Sequence, residues 1–307
     1  MPPPELIAIC IPTCLRPQML GECLRSLAKT RIPAGCEVSL IVLDNDANQS
    51  ARQVVAAAKF PFAARYVCEA RRGLSSVRNR ALAEATSAKA DYLAFIDDDI
   101  IVNENWLSAL AEGLQQTGAD GIGGCVEYIY PDNKPPWWMR PPKTAPDENA
   151  KTTKAGFSTN LLLMKARVFA DMRFDESFNT TGAEDYDFSR RAMLAGFVCA
   201  TTGKAKATEK THPARLTLAN HCKTQWQRQT GYVLSHRKTD GKINATIRFL
   251  PRGIVKTIKG IIYCTLAPIL GKKALQKGIK NLIAGTGTIY GTITHGNYQK
   301  YAKIDGE

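Results

Sequence analysis

Short apolar runs separated by amphipathic stretches fill the first half of the chain, a succession that predicts strands and helices alternating around a mostly parallel sheet. Leu6 to Ile11 reads as a strand, Pro17 to Lys29 as a helix, and Val38 to Leu43 as a second strand that ends at Asp44. Gln49 to Lys59 has helical spacing and Arg65 to Cys68 is extended. Leu74 to Ala90 places Leu74, Val77, Ala81 and Leu82 on one helical side. Tyr92 to Ile96 is an apolar strand that runs straight into Asp97, Asp98 and Asp99. In open α/β sheets ligands collect beyond the carboxyl ends of the strands, and Thr13, Asp44 and the aspartate run all fall there. That sheet edge is the expected site.

Further along, Trp106 to Gln116 predicts another helix, Phe157 to Met164 a strand, and Glu184 to Ala195 a helix with acidic residues in its first turn. Between them, Pro131 to Pro146 holds six prolines and the adjacent Trp137 and Trp138, which predicts a long irregular loop because proline donates no backbone hydrogen bond and restricts its predecessor. The pattern changes after about His236. Ile243 to Leu250, Ile254 to Leu270 and Ala274 to Ile283 interleave Ile, Leu and Val with Lys and Arg, as basic amphipathic helices do. The expected division is a catalytic domain over 1–236 and a basic helical extension over 237–307.

Charge sharpens this division. The chain carries a formal +13, and much of the excess sits beyond Gly241, from Lys242 through Lys280 to Lys300 and Lys303, against only Asp305 and Glu307. Two readings are open: a small helical subdomain with a solvated basic face, or a face that binds an anionic membrane surface, where each basic residue contributes about 1 kcal/mol. No nucleic-acid motif accompanies the charge, so no nucleic-acid partner is expected. No apolar run is long enough to span a bilayer and the first residues lack a signal-peptide pattern. Nine scattered cysteines form neither a disulfide framework nor a zinc spacing and suit a reducing compartment. The expected location is the cytoplasm, attached peripherally to the inner face of the membrane.

The strongest chemical signal is the aspartate run. Three adjacent carboxylates repel one another unless a cation sits among them, and a hard divalent ion, Mg²⁺ or Mn²⁺, prefers such oxygen ligands and shares a substrate's phosphates. Acidic turns at strand ends also serve as caps, which is the alternative. Asp185 and Glu184 open a helix, where they either answer its dipole or act on a substrate. Trp137 and Trp138 either stack on a sugar ring as part of a lid or anchor their loop.

Five segments taken in order resemble the family 2 glycosyltransferases of the GT-A fold, over roughly the first two thirds of the chain. They are Ile9-Cys-Ile-Pro-Thr-Cys-Leu-Arg16, Ile41-Val-Leu-Asp-Asn-Asp46, Gly73-Leu-Ser-Ser-Val-Arg-Asn-Arg80, Phe95-Ile-Asp-Asp-Asp99 at the place of the DXD motif, and Gly182-Ala-Glu-Asp-Tyr-Asp187. The resemblance implies an inverting, metal-dependent transfer of a hexose from a nucleotide-diphosphate sugar, UDP-linked in most members. The implied acceptor is a saccharide or lipid-linked oligosaccharide of cell-surface polysaccharide or lipopolysaccharide. It further implies that Thr13, Arg16, Asp44, Asp46, Arg78, Asp97 and Asp98 surround the donor, and that Asp99 binds the metal. Asp185 would be the catalytic base with Glu184 beside it. Asn45-Asp46 departs from the usual Asp-Gly, and His212 resembles a late histidine that some members use as a metal ligand. The rivals are a nucleotidyltransferase, which would carry a glycine-rich basic loop where Pro12 to Arg16 stands, and a non-enzymatic membrane-surface protein, which would leave the acidic segments unexplained.

Overall fold

A computed structural model describes residues 3–132, 134–139, 147–154, 156–179 and 182–294; the later part of the proline-rich loop, from 140 to 146, and Lys300 and Lys303 lie outside them. The elements, in chain order, begin with β1 (Glu5–Thr13), α1 (Pro17–Leu27), β2 (Cys36–Asp44), α2 (Arg52–Ala57), β3 (Ala63–Cys68), α3 (Leu74–Ser87) and β4 (Tyr92–Ile96). There follow β5 (Ile100–Val102), α4 (Trp106–Thr117), β6 (Gly121–Ile129), β7 (Lys151–Thr153), β8 (Leu161–Lys165), α5 (Ala166–Asp171), α6 (Glu184–Leu194) and β9 (Cys199–Lys210). Helices α7 (Leu218–Asp240), α8 (Lys242–Thr265), α9 (Ala267–Leu270) and α10 (Lys272–Ile293) complete the described chain.

One mixed sheet runs in the order β3-β2-β1-β4-β8-β6-β9-β5, with β7 added beside β9. The pairs among β3, β2, β1 and β4 are parallel, whereas β4 meets β8 antiparallel, as expected from a mostly parallel sheet closed by a later, mixed half. Alternation along β1 divides the core. Ile7, Ile9 and Ile11 pack with Leu20, Leu24, Trp106 and Leu110 on the α1/α4 face, and Ala8 and Cys10 pack with Val77, Ala81, Phe95 and Phe188 on the α3/α6 face. The parallel register pairs Thr13 with Asp44, so these two side chains leave the sheet at the same level, and β4 ends beside them at Ile96.

The C-terminal helices differ from expectation in two ways. Helix α7 continues through position 236 to Asp240, and the chain turns at Gly241, whose φ of 85° suits glycine. Ile243 to Leu270 is not broken at Pro251; α8 runs through it, because a proline inside a helix removes one bond without ending the packing on both sides. Helices α8 and α10 meet through glycine. A Cβ on Gly260 would lie 2.6 Å from Leu282 N, and one on Gly285 would lie 2.5 Å from Thr257 N, so the backbones touch. The isoleucines of α8 therefore do not fill the seam. They face away from it, with Ile243 74% and Ile247 70% exposed, and Ile269 of α9 82% exposed.

Candidate functional site

Beyond the carboxyl ends of β1 and β4, the three aspartates have separate surroundings. Asp98 turns inward: its Oδ2 accepts from Thr13 Oγ1 at 2.7 Å and its Oδ1 from Arg16 Nη1 at 3.4 Å. Burial pushes its carboxyl up to about 6, against the pull of Arg16. Asp97 has 38% of its side chain exposed in the cleft, yet desolvation by the cleft walls also lifts it to about 6, with Arg78 opposing. Asp99 lies with Oδ2 at 3.6 Å from Arg16 Nη1 and 3.3 Å from Arg215 Nη1. Thr13, Arg16, Asp98 and Asp99 are thus one network.

At the end of β2, Asp44 is fully buried. Its Oδ1 accepts from Asp46 N at 3.1 Å, and its Oδ2 from Ala51 N at 2.8 Å and Tyr66 Oη at 2.9 Å. Asp44 thereby holds the β2–α2 loop in shape, with its carboxylate turned into the protein. Asp46 differs. Its Oδ1 caps the turn through Asn48 N, while Oδ2 is buried without a hydrogen-bond partner. Since buried polar atoms are nearly always paired, that oxygen marks a place where a ligand's donor fits.

The second acidic segment reaches the same cleft from a distant part of the chain. Asn179 Oδ1 accepts from Ser75 N at 2.8 Å and Ser76 N at 3.2 Å, capping α3 and fixing Arg78 one turn later. Arg78 is buried, donates from Nη1 to Glu184 Oε1 at 2.6 Å and lies with Nη2 3.7 Å from Asp97 Oδ1. One guanidinium so joins the aspartate run to α6. Glu184 Oε2 and Arg78 Nε are buried without partners, a second pair of polar atoms facing an unfilled need. Asp185 accepts from Tyr186 N at 2.7 Å; burial raises its carboxyl, Glu184 raises it further, and Arg78 and Arg228 lower it.

The turn before α6 is strained. Ala183 has φ 70°, a left-handed conformation uncommon outside glycine, and it follows Gly182 at φ 72°. Helix α7 presses on this turn at Gly231, where an added Cβ would stand 2.5 Å from Ala183 Cβ and 2.9 Å from Gly182 O. Gly231→Ala is therefore expected to shift the turn that carries Glu184 and Asp185. It should lower turnover at least about tenfold, with an overpacking loss of about 1–3 kcal/mol; steady-state kinetics beside a thermal melt check both. Deeper in the same contact, Ser235 Oγ donates to Asp187 at 2.9 Å, and His236 accepts from Tyr186 Oη at 3.2 Å while its Nδ1 donates to Asp240 at 2.7 Å. Helix α7 is the scaffold on which α6 is held.

Two residues of the cleft were not anticipated. Glu209, at the end of β9, is 8% exposed and bonded to Arg215 Nη1 at 3.0 Å, and burial beside Asp99 lifts it to about 7. The signal was weak: β9 alternates Lys204-Ala205-Lys206-Ala207 with only small apolar residues. Asp97, Asp99 and Glu209 offer oxygen donors alone, the chemistry of a hard divalent ion. Their mutual repulsion is what such an ion would relieve. Among the described residues no group of three or more His, Cys, Asp or Glu stands assembled for one; Asp99 is held by arginines instead. His212 is exposed, and its Nδ1 accepts from Ala214 N at 3.2 Å, which leaves the neutral ring's proton on Nε2. To bind a metal it would have to give up that cap or lose that proton.

Trp137 and Trp138 meet edge to face with centroids 5.6 Å apart. Their stretch is tied to α10, because Gln276 donates to Trp137 O at 2.8 Å and Met139 O at 3.0 Å. Trp138 Nε1 is buried without a partner.

Residues 8–173 match the family profile described as glycosyl transferase family 2. The chain belongs to this family. It is 34% identical over 224 residues, 71% of each chain, to the succinoglycan biosynthesis protein ExoM of Rhizobium meliloti (strain 1021). The fold resembles S. aureus TarS 1–349 solved in complex with UDP-GlcNAc, at TM-score 0.57 and 16% identity over 92% of this chain and 90% of that one. It also resembles GalNAc-T7 solved with UDP, GalNAc and Mn²⁺, at TM-score 0.57 and 13% identity over 77% of this chain and 48% of that one. The mixed sheet with flanking helices is the GT-A arrangement, and this family 2 chain adds α7 to α10 to it.

Proposed function

We propose that this family 2 glycosyltransferase inverts the anomeric centre as it moves a hexose from a UDP-sugar to a lipid-linked oligosaccharide at the cytoplasmic face of a membrane. The product is a cell-surface polysaccharide or lipopolysaccharide. The observation that carries the reading is Arg78, which pairs with both Asp97 and Glu184 and so brings two acidic segments, 87 residues apart from Asp97 to Glu184, to one point. The relationship to ExoM supports polysaccharide synthesis, and the UDP and Mn²⁺ bound by GalNAc-T7 and the UDP-GlcNAc bound by TarS support the donor and ion.

In this mechanism Thr13 and Arg16 fix Asp98, which keeps the loop after β4 from collapsing and leaves Asp97 and Asp99 for the donor side. Asp99 would hold Mn²⁺ or Mg²⁺, which supplies positive charge to the departing diphosphate. Asp185 accepts the proton of the acceptor hydroxyl as that oxygen attacks the anomeric carbon; a single displacement inverts it. Glu184, neutralised by Arg78, keeps the first turn of α6 in place. The test is direct: incubation with Mn²⁺ and a panel of UDP-sugars should release UDP, and EDTA should abolish the release. Pyrophosphate release from a nucleoside triphosphate would instead establish the nucleotidyltransferase.

The membrane part of the reading rests on α8 to α10. From Lys242 to Ile293 the sequence has nine Lys and Arg and no acidic residue, and the isoleucines of α8 face outward because glycine makes the helix seam. No helix among the described residues is long and apolar enough to cross a bilayer, so the contact proposed is in the interfacial plane. The intact chain is expected to float with vesicles containing a third anionic lipid and to sediment free of neutral ones. Ile247→Glu with Ile258→Glu should reduce the floated fraction at least about fivefold while leaving UDP-sugar hydrolysis in solution unchanged. Undiminished flotation of that variant would remove these helices from the membrane contact.

A further inference from the structure

Arg215 stands where neither the motifs nor the chemistry above assigned a role. It lies on the 3₁₀ turn Pro213–Leu216 between β9 and α7, and its single Nη1 reaches Glu209 Oε1 at 3.0 Å and Asp99 Oδ2 at 3.3 Å. Both carboxylates have only 11% of their side chains exposed, whereas Arg215 keeps 32%, so the guanidinium forms the solvent side of the cluster. Arg16, the other cation on Asp99, is committed elsewhere: it also holds Asp98, which Thr13 fixes from the opposite side. Arg215 also holds Glu209, but it stands on the solvent side of the cluster and is therefore the cation placed to exchange.

A divalent ion that binds Asp99 competes with Arg215 for the same carboxylate, since two cations on neighbouring lone pairs repel across a poorly screened cleft. We propose that Arg215 is an exchangeable counter-ion: it neutralises Asp99 and Glu209 before loading, and engages the donor's diphosphate once the ion has taken Asp99. The assignment rests on the reading of this cleft as a metal and nucleotide site. A planar guanidinium suits phosphate oxygens as well as carboxylates, and a metal that shares Asp99 with a diphosphate brings those oxygens into the neighbourhood Arg215 already occupies. The short turn that carries it lies between a strand and a helix and none of its residues is buried, which gives the side chain room to make the exchange.

The prediction has opposite signs for the two ligands, which a merely structural arginine would not give. Free Mn²⁺ is followed by electron paramagnetic resonance while the intact chain is titrated, and UDP binding is measured by calorimetry at saturating Mn²⁺. Arg215→Met should bind Mn²⁺ alone about tenfold tighter than the wild type and UDP about tenfold more weakly, the change expected on losing one charge-assisted contact. Arg215→Lys should fall between in both. Because Arg215→Met strips Glu209 of its partner, thermal melts of both variants beside the wild type serve as the folding control, and Arg215→Lys carries the test if Arg215→Met does not fold. If the wild type binds both ligands but the variants move the two affinities in the same direction, or leave either unchanged, the exchange is wrong. If the wild type binds neither, the metal and nucleotide reading itself has failed.

Discussion

Asp185→Asn is expected to fold as the wild type does, to bind Mn²⁺ and UDP with unchanged affinity, and to lose about 10²–10⁴ in kcat, the usual contribution of a general base. That loss corresponds to about 3–5 kcal/mol of barrier. Among the described residues the side chain makes one hydrogen bond, accepting at Oδ1 from Tyr186 N, which an asparagine oxygen reproduces, so the substitution removes a charge and little else. The same residue sets the acid limb of the pH profile. Burial and Glu184 raise its carboxyl above the ordinary range. A base works only when ionised, so kcat/KM should fall as pH drops through that raised value, earlier than an exposed aspartate would allow, and level off above it. Glu184→Gln removes the neighbouring charge and should move the limb to lower pH. An acid limb no higher than that of an exposed aspartate, or an Asp185→Asn variant with turnover within about threefold of the wild type, would take the base assignment away from this residue.

The parts of the fold written in dense apolar runs were legible from the sequence. Strands β1, β2 and β4 are short runs rich in Ile, Leu and Val, and each ends within two residues of where the pattern stops. The strands beyond them were not. Neither β6, which opens Gly-Ile-Gly-Gly, nor β9, built on Ala and Thr, has a hydrophobic signal of its own; β6 becomes a strand because β8 offers it paired backbone, β9 because β6 in turn pairs with it, and α4 packs on both. Helix α7 is mostly polar and its buried face is set by α6 and α10, which no local pattern announces.

The same division runs through the site. Asp97 to Asp99 and Glu184-Asp185 are readable because acidic residues at a strand end and a helix start are conspicuous. What a motif cannot give is the direction of a side chain. Asp44 and Asp98 stand at the expected positions but turn into the protein, where backbone and hydroxyl donors take up their oxygens, while Asp46, the departure from the motif, keeps a buried oxygen open. Glu209 and Arg215 come from the end of an unannounced strand and the turn after it, so they enter the cleft only once β9 is placed beside β5. The backbone at Trp137 and Met139 is tied by Gln276 to α10, a long-range contact that the composition of the proline-rich stretch does not announce.

Arg78→Met is expected to be the most damaging single change in stability and activity together. Methionine fills a similar volume but leaves Glu184 with no partner and Asp97 with its nearest cation gone. Breaking a buried pair from one side costs about 3–5 kcal/mol, because the remaining charge stays out of water without compensation. For a domain of this size that lowers Tm by on the order of 10 °C. Activity should fall further than stability explains, since the first turn of α6 loses the contact that positions Asp185 against the aspartate run. Arg78→Lys separates the two effects. A lysine keeps the charge but not the fork, so it can hold Glu184 or Asp97 and not both. It should recover most of the Tm and little of the kcat. Should Arg78→Met melt with the wild type, the bridge is not what joins the two acidic segments, and their convergence must be held by the α6–α7 contact alone. The double variant Arg78→Met with Glu184→Gln then supplies the decisive comparison: removing both charges ought to restore part of the Tm lost by the single change, because a neutral amide is far cheaper to bury than an unpaired carboxylate.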